Sequence, residues 1–309
     1  MDKFKKLKPH IITPLFTLII YILLAVSSAV TSIWGKAENL FATSIVLQIL
    51  IFTLPMLFYT KARGISFSRK MRLKVFSPGK IVLIIGLLGV MIFGTMLINI
   101  FFYGLTNSIG NYNSNSAYSL TEVISGQNVV YSLITFCFIP AICEEFVFRG
   151  VIMSEYAGYG PVAGILISSI LFGMAHFDFV ELPAYIFSGV VLAGSVYMTK
   201  SLYAALIIHI CNNIFSIFAA PYIWAICLQP SGILFTVLIF IVFFFICLIM
   251  VFKEGDIVYY EYAYDYEYSG SEYRNGWPEK RDGNFALAFF SPTLILTVVV
   301  YIIITIYLT

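Results

Sequence analysis

Long apolar runs recur along the whole chain and restrict its fold more than any other feature. A helix needs roughly 20 apolar residues to cross a bilayer. Runs near that length lie at 12–34, 40–59, 81–103, 129–153, 162–177, 182–199, 202–218, 233–252 and 285–308. Hydrophobic residues make up 60% of the chain and charged residues 11%, whereas soluble domains are about half apolar and a quarter charged. We predict an all-α, polytopic membrane bundle of about eight to nine helices, with lipid as a partner and no nucleic-acid partner.

Basic residues are concentrated on alternate loops between these runs. They occur before the first run, between the second and third, after the sixth and after the eighth, and include Lys8, Lys61, Arg63, Arg69, Lys70, Arg72, Lys74, Lys80, Lys200, Lys253, Arg274, Lys280 and Arg281. Cytoplasmic loops carry an excess of Lys and Arg. With nine spans, this distribution predicts a cytoplasmic N-terminus and an external C-terminus, and we expect the location to be a bacterial plasma membrane.

The fourth run contains ionisable residues at membrane depth. Glu144, Glu145 and Arg149 follow an apolar stretch that begins at Val129. Because such residues are costly in a bilayer, they indicate a functional site. Residues four apart share a helix face, so Glu145 and Arg149 should pair while Glu144 points about 100° away. Glu144 is therefore the predicted carboxylate for proton transfer.

Two further polar clusters lie in the next spans. Four-residue spacing places Phe172 beneath His176 and puts His209 on one face with Asn213. Counted at about 1.5 Å per residue from the cytoplasmic turns, these groups and Glu144 lie at similar depths. We predict that they converge in one cavity that opens toward the cytoplasm.

Each polar residue also has a structural interpretation. The Glu145–Arg149 pair could simply satisfy itself, and His176, His209 and Asn213 could form interhelical hydrogen bonds. His10 is expected at the membrane surface, and Glu181 in an external turn beside Asp178. The combination of a carboxylate, two histidines and an amide at one depth favours a site that activates water and stabilises an oxyanion.

Three motifs in these clusters resemble a known family. They are Glu144-Glu145-x-x-x-Arg149, Phe172-x-x-x-His176 and His209-x-x-x-Asn213. Their order and spacing are similar to those of the CAAX prenyl protease and bacteriocin-processing family, also called the abortive-infection family. The resemblance covers about 129–220.

That resemblance implies a glutamate-dependent intramembrane endopeptidase. Glu144 would activate the attacking water with help from His176, and His209 and Asn213 would donate to the oxyanion. Glu145 and Arg149, with Phe172, would support these catalytic groups. Glu144, His176 and His209 could instead bind zinc. The chain lacks a His-Glu-x-x-His motif, and we favour a mechanism without metal or other cofactor.

These observations divide the chain into three parts. Residues 1–128 form three helices with a basic cytoplasmic loop, 129–220 the catalytic four-helix core, and 221–309 the C-terminal helices. An acidic insertion at about 253–284 alternates tyrosines from Tyr260 to Tyr268, which predicts a β-strand with a turn at 269–271. It is a solvated insertion or a docking edge for a partner.

The predicted activity is hydrolysis of a peptide bond in a membrane-proximal peptide or protein, lipidated or leader-bearing, at the cytoplasmic side. The alternative is a non-catalytic membrane immunity or scaffold protein that keeps the polar cavity for binding. A proton-coupled transporter is disfavoured because no pair of interrupted spans occurs in matching positions.

Overall fold

The computed structural model describes residues 7–34, 40–64, 72–105, 128–269 and 285–308, and the regular elements in these ranges are all helices. The N-terminal helices are α1 (Pro9–Trp34), α2 (Leu40–Gln48), α3 (Leu54–Arg63) and α4 (Ile81–Leu105). The middle of the chain forms α5 (Val129–Ser132), α6 (Ile139–Glu145), α7 (Met153–Tyr156), α8 (Pro161–Met174), α9 (Leu182–Thr199) and α10 (Leu202–Phe218). The C-terminal helices are α11 (Ala220–Cys227), α12 (Pro230–Ser269), α13 (Phe285–Phe289) and α14 (Pro292–Leu308). The predicted all-α membrane bundle is confirmed.

Within the described ranges, seven continuous helical stretches are long and apolar enough to cross a membrane, and a bent pair gives an eighth candidate. That pair is α10 with α11, which meet at an angle of 72°. The span predicted at 162–177 is instead the shorter α8, with 14 residues. The nine-span count is therefore replaced by up to eight candidates and one short apolar helix.

Helix α12 also corrects the prediction for the tyrosine-rich segment. The strand predicted from Tyr260 to Tyr268 is wrong, because α12 continues as a helix to Ser269. The tyrosines alternate with a period of two, which is the pattern of a strand. However, extending an existing helix by one residue costs little free energy, and residues 256–269 contain no proline or glycine that would end it. The predicted turn at 269–271 lies mostly outside the described residues.

Buried polar contacts join the helix ends on the side of the basic loops. Arg63 Nη2 lies 2.7 Å from Glu155 Oε2, and the Tyr59 hydroxyl donates to the same oxygen at 3.2 Å. His10 is buried, and its Nδ1 lies 2.5 Å from the hydroxyl oxygen of Tyr159. The prediction of a surface His10 is therefore wrong, because its partner tyrosine is 149 residues away and invisible to local sequence reasoning.

Glycines allow the central helices to approach closely. A Cβ at Gly189 of α9 would lie 2.8 Å from Ser169 Cα of α8, and one at Gly89 of α4 would overlap the Phe243 ring of α12. Small residues at helix crossings are typical of membrane bundles, in which backbone contact replaces the hydrophobic effect. These crossings hold α4, α8 and α9 around the polar cluster described below.

Gly189→Ala is expected to destabilise the protein by about 1–3 kcal/mol, because the added methyl group meets helix backbone that cannot rotate away. Gly194→Ala in the same helix is the matched control, since its Cβ would meet nothing within 4 Å. Thermal unfolding of both purified variants in detergent checks the prediction. Equal stabilities would show that the α8–α9 crossing tolerates a side chain.

Candidate active site

The span that carries the paired glutamates is not a regular α-helix. The seven-residue α6 lies between two π-helical segments, Leu133–Phe138 and Phe146–Ile152. π-helical turns are rare and often occur at functional sites. Here they bracket Glu144 and Glu145 at the middle of the span.

Glu145 and Arg149 form a fully buried ion pair. Arg149 Nη1 donates to Glu145 Oε1 at 2.8 Å, which confirms the predicted pairing. Arg149 Nη2 donates to the Gly189 carbonyl at 3.2 Å, and its Cζ lies 4.3 Å from the centre of the Phe172 ring. A guanidinium over an aromatic face gains a cation–π interaction. The three partners hold this buried cation between α8 and α9.

His209 lies between the two glutamates. Its Nδ1 is 2.9 Å from Glu145 Oε1, and its Nε2 is 3.8 Å from Glu144 Oε2. A carboxylate can only accept, so Nδ1 donates to the ionised Glu145 and Nε2 is turned toward Glu144. The Glu144 side chain keeps 13% exposure whereas that of Glu145 has none. Glu144 is thus the more accessible of the two carboxylates.

His176 is held on the other side of Phe172. Its Nδ1 lies 3.1 Å from the Phe172 carbonyl oxygen, and its ring stacks on Tyr185 with centroids 3.9 Å apart. Since the carbonyl accepts, Nδ1 carries the proton and Nε2 of the neutral ring can take one up. Phe172 contacts both His176 and His209 edge-on, at 5.1 and 5.7 Å between centroids.

A cavity of about 210 Å³ lies beside this cluster. Polar groups from α4, α8, α9, α10 and the turn before α9 line it, among them Asn99, His176, Glu181, Tyr185, Ser188, His209, Asn212 and Asn213. The structure therefore brings His176, His209 and Asn213 to one cavity, and Glu144 to His209. Glu144 itself is not a lining residue of this cavity, and its described charged contact is His209.

The cavity lies toward the ends of the helices that are remote from the basic loops. On α4, the residues that line the cavity lie between Met91 and Asn99, away from Lys80. On α10, they lie between His209 and Ile217, away from Lys200. If the basic end is cytoplasmic, this cavity occupies the outer half of the bundle, whereas the prediction was a cavity that opens toward the cytoplasm.

Sequence reasoning missed two cavity residues, Glu181 and Tyr185. Glu181 is buried, its Oε2 accepts from the Tyr185 hydroxyl, and its Oε1 accepts from Tyr103 at 2.9 Å. Glu181 lies in a turn beside Asp178, as predicted, but its side chain is buried and bonded to two tyrosines, which the prediction of a plain external turn did not include. The four-residue spacing of Glu181 and Tyr185 at a helix start was the available signal, since it places both on one face.

The three residues considered as zinc ligands are not assembled as a ligand set. Within the described ranges, no three His, Cys, Asp or Glu side chains are grouped to hold a metal ion. His209 points one nitrogen at Glu145 and the other at Glu144, and the Phe172 ring contacts both histidines. This side-chain arrangement does not fit a zinc centre made of Glu144, His176 and His209.

Comparison with known proteins agrees with the motifs. Residues 126–215 match the Rce1-like family of type II CAAX prenyl endopeptidases. A curated relative, the membrane-embedded CAAX protease MroQ of Staphylococcus aureus (strain USA300), is 38% identical over 82 residues. That match covers 24% of this chain and 33% of the relative, so the chain matches about a third of the relative's length. No solved structure matches.

The matched segment contains every residue of the predicted site, from Glu144 to Asn213. The resemblance predicted from three short motifs is thereby confirmed, since residues 126–215 match the Rce1-like CAAX prenyl endopeptidase family and a CAAX protease is among the relatives.

Proposed function

We propose that this protein is an intramembrane endopeptidase that uses Glu144 to activate water against a peptide bond of a membrane-proximal substrate. The observation that carries the proposal is the placement of His209 between Glu144 and the buried Glu145–Arg149 pair, beside a polar cavity. The family of the matched segment is named for endopeptidases. Buried ionisable groups with no other evident task favour catalysis over packing.

The contacts give each group a step in the reaction. Glu144 takes a proton from water as the water oxygen attacks the carbonyl carbon, and later gives that proton to the leaving amine. Arg149 fixes Glu145, and Glu145 fixes the ring orientation of His209 through Nδ1. Glu144 Oε2 lies 3.8 Å from Nε2 of His209, which lines the cavity. The Arg149–Glu145–His209 contacts fix part of the site before substrate binds, as preorganised catalysis requires.

Asn213 is the oxyanion donor that the chemistry favours. Its amide nitrogen always donates, whereas Nε2 of His209 donates only when the ring carries two protons. Asn213 lies one turn after His209 on α10 and lines the same cavity. His176, which lines the cavity and has Nε2 able to take up a proton, is proposed to assist Glu144.

The substrate is proposed to be a peptide or protein presented at the membrane, prenylated or leader-bearing. We place the protein in a bacterial plasma membrane with its N-terminus in the cytoplasm, as the basic loops indicate. The test is cleavage of membrane-anchored reporter peptides by purified protein in liposomes, with product masses giving the scissile bond. Binding of peptide without any cleavage would instead favour the non-catalytic scaffold alternative.

Metal removal is expected to leave the activity unchanged, because in the proposed mechanism Glu144 and not a metal activates the water. Cleavage rates with and without excess 1,10-phenanthroline, together with the zinc content of active protein, check this. A zinc protease assayed in the same liposomes is the control for chelation. Loss of activity that added zinc restores would overturn the metal-free mechanism.

A further inference from the structure

Glu181 is a buried carboxylate that has no cationic partner within the described part of the chain. Its residue exposure is 7%, and its two oxygens accept from Tyr103 and Tyr185. Among the residues that the structure describes, no Lys, Arg or His is paired with it, and segment 106–127 contains no Lys or Arg. Burial raises the pKa of Glu181, although hydrogen bonds from both tyrosines oppose that shift. Its negative charge is therefore incompletely compensated within the protein.

The same end of the cavity presents further hydrogen-bond acceptors. Asn99 lines it, and the Asn99 Oδ1 atom is buried without a hydrogen-bond partner. Ser188 also lines the cavity and donates its hydroxyl proton to the Ala184 carbonyl, so its oxygen can only accept from a ligand. A carboxylate with neutral acceptors in the same cavity matches a group that carries positive charge and several N–H donors.

We propose that this outer end of the cavity, formed by Asn99, Glu181 and Ser188, is a specificity subsite that binds a lysine or arginine side chain of the substrate. This inference rests on the proposed peptidase function and adds a substrate class to it. Glu181 lies seven residues from Ser188 along α9, or roughly 10 Å. An extended peptide advances about 3.3 Å per residue. A substrate segment that runs from Ser188 to Glu181 would therefore comprise about three residues.

A competing role for Glu181 is to position His176 through Tyr185. The Tyr185 hydroxyl donates to Glu181 and the Tyr185 ring stacks on His176. A positioning role would lower the cleavage of all peptides equally, because His176 serves every substrate. A subsite affects only those peptides whose side chain reaches the carboxylate.

The experiment uses N-acetylated, membrane-anchored peptides that carry Lys, Arg, Gln, Met or Glu at each of three positions on either side of the scissile bond. The parent should prefer Lys and Arg at one position. Glu181→Gln keeps the shape and an oxygen acceptor for the tyrosines but removes the charge. It should lower kcat/KM for the basic peptide roughly 10- to 100-fold, the effect of one charge-assisted hydrogen bond, and leave the Gln peptide unchanged.

Asp178→Asn is the matched control. Asp178 lies in the same turn, and its Oδ1 accepts from the backbone N–H groups of Val180 and Glu181, as an asparagine oxygen also can. This variant should keep the basic preference. An equal loss on every peptide in Glu181→Gln would assign Glu181 a positioning role and reject the subsite. A preference that requires a free amino terminus, tested with non-acetylated peptides, would identify an α-ammonium group as the ligand and overturn the side-chain assignment.

Binding separates this inference from the proposed function. Dissociation constants of the Lys and Gln peptides, measured by fluorescence anisotropy on the parent and on Glu181→Gln, do not depend on catalysis. Tighter binding of the Lys peptide that disappears in Glu181→Gln supports the subsite even if no peptide is cleaved. Equal binding of both peptides by the parent would overturn it even if cleavage is observed.

Discussion

Glu144→Gln is expected to lower peptide cleavage about 10²- to 10⁴-fold, the usual contribution of a general base. Glutamine has the shape of glutamate but its amide cannot take up the proton of the attacking water. The fold should persist, because the Glu144 side chain is partly exposed and makes no ion pair shorter than 3.8 Å within the described structure. Initial rates on the reporter peptide in liposomes, normalised to folded protein, measure the effect.

The matched control for this variant is Cys137→Ala, a buried residue of the same membrane span. Its thiol lies two turns before Glu144 in sequence, and the variant should retain parental rates. If Glu144→Gln kept more than about a tenth of the parental rate, general base catalysis by this carboxylate would be excluded.

Arg149→Met is expected to destabilise the protein by about 3–5 kcal/mol, because it leaves the fully buried Glu145 carboxylate without its cation. Methionine keeps an unbranched apolar side chain but provides neither the N–H donors nor the cation over the Phe172 ring. Thermal or denaturant unfolding in detergent measures the loss. Activity should fall as well, since Glu145 orients His209.

A double variant separates charge balance from catalysis. Glu145→Gln with Arg149→Met removes both charges, and it should recover most of the stability lost in the single variant. Activity should remain low because His209 loses its anionic partner. If the double variant were as unstable as Arg149→Met alone, the buried pair would not be the source of the stability.

Helical periodicity predicted the parts of the site that depend on local spacing. Glu145 and Arg149 are four residues apart in one helical span, so their pairing follows from helix geometry alone. Phe172 and His176 are likewise in contact. The Glu145–Arg149 pair forms although a π-helical segment begins at Phe146. The amino-acid pattern does not predict that segment.

Contacts between distant helices could not be predicted in this way. Periodicity puts His209 on one face with Asn213, but it cannot say that the two nitrogens of His209 face Glu145 and Glu144. The stacking of His176 on Tyr185 similarly depends on how α8 and α9 cross. The length of the apolar run also predicted a full membrane span where the structure has the shorter α8. Hydropathy does not show where contacts with neighbouring helices end a helix.

The short α8 has a consequence for the lipid around the protein. Its 14 residues span roughly 21 Å, whereas a typical hydrocarbon core is about 30 Å thick. A bilayer meets such a mismatch by thinning beside the short segment. We therefore expect headgroups and bulk water to come closer to His176, two residues after α8, than the depth of the bundle alone would allow. In the proposed reaction, the length of one helix would thus help to bring water, the second reactant, to the site.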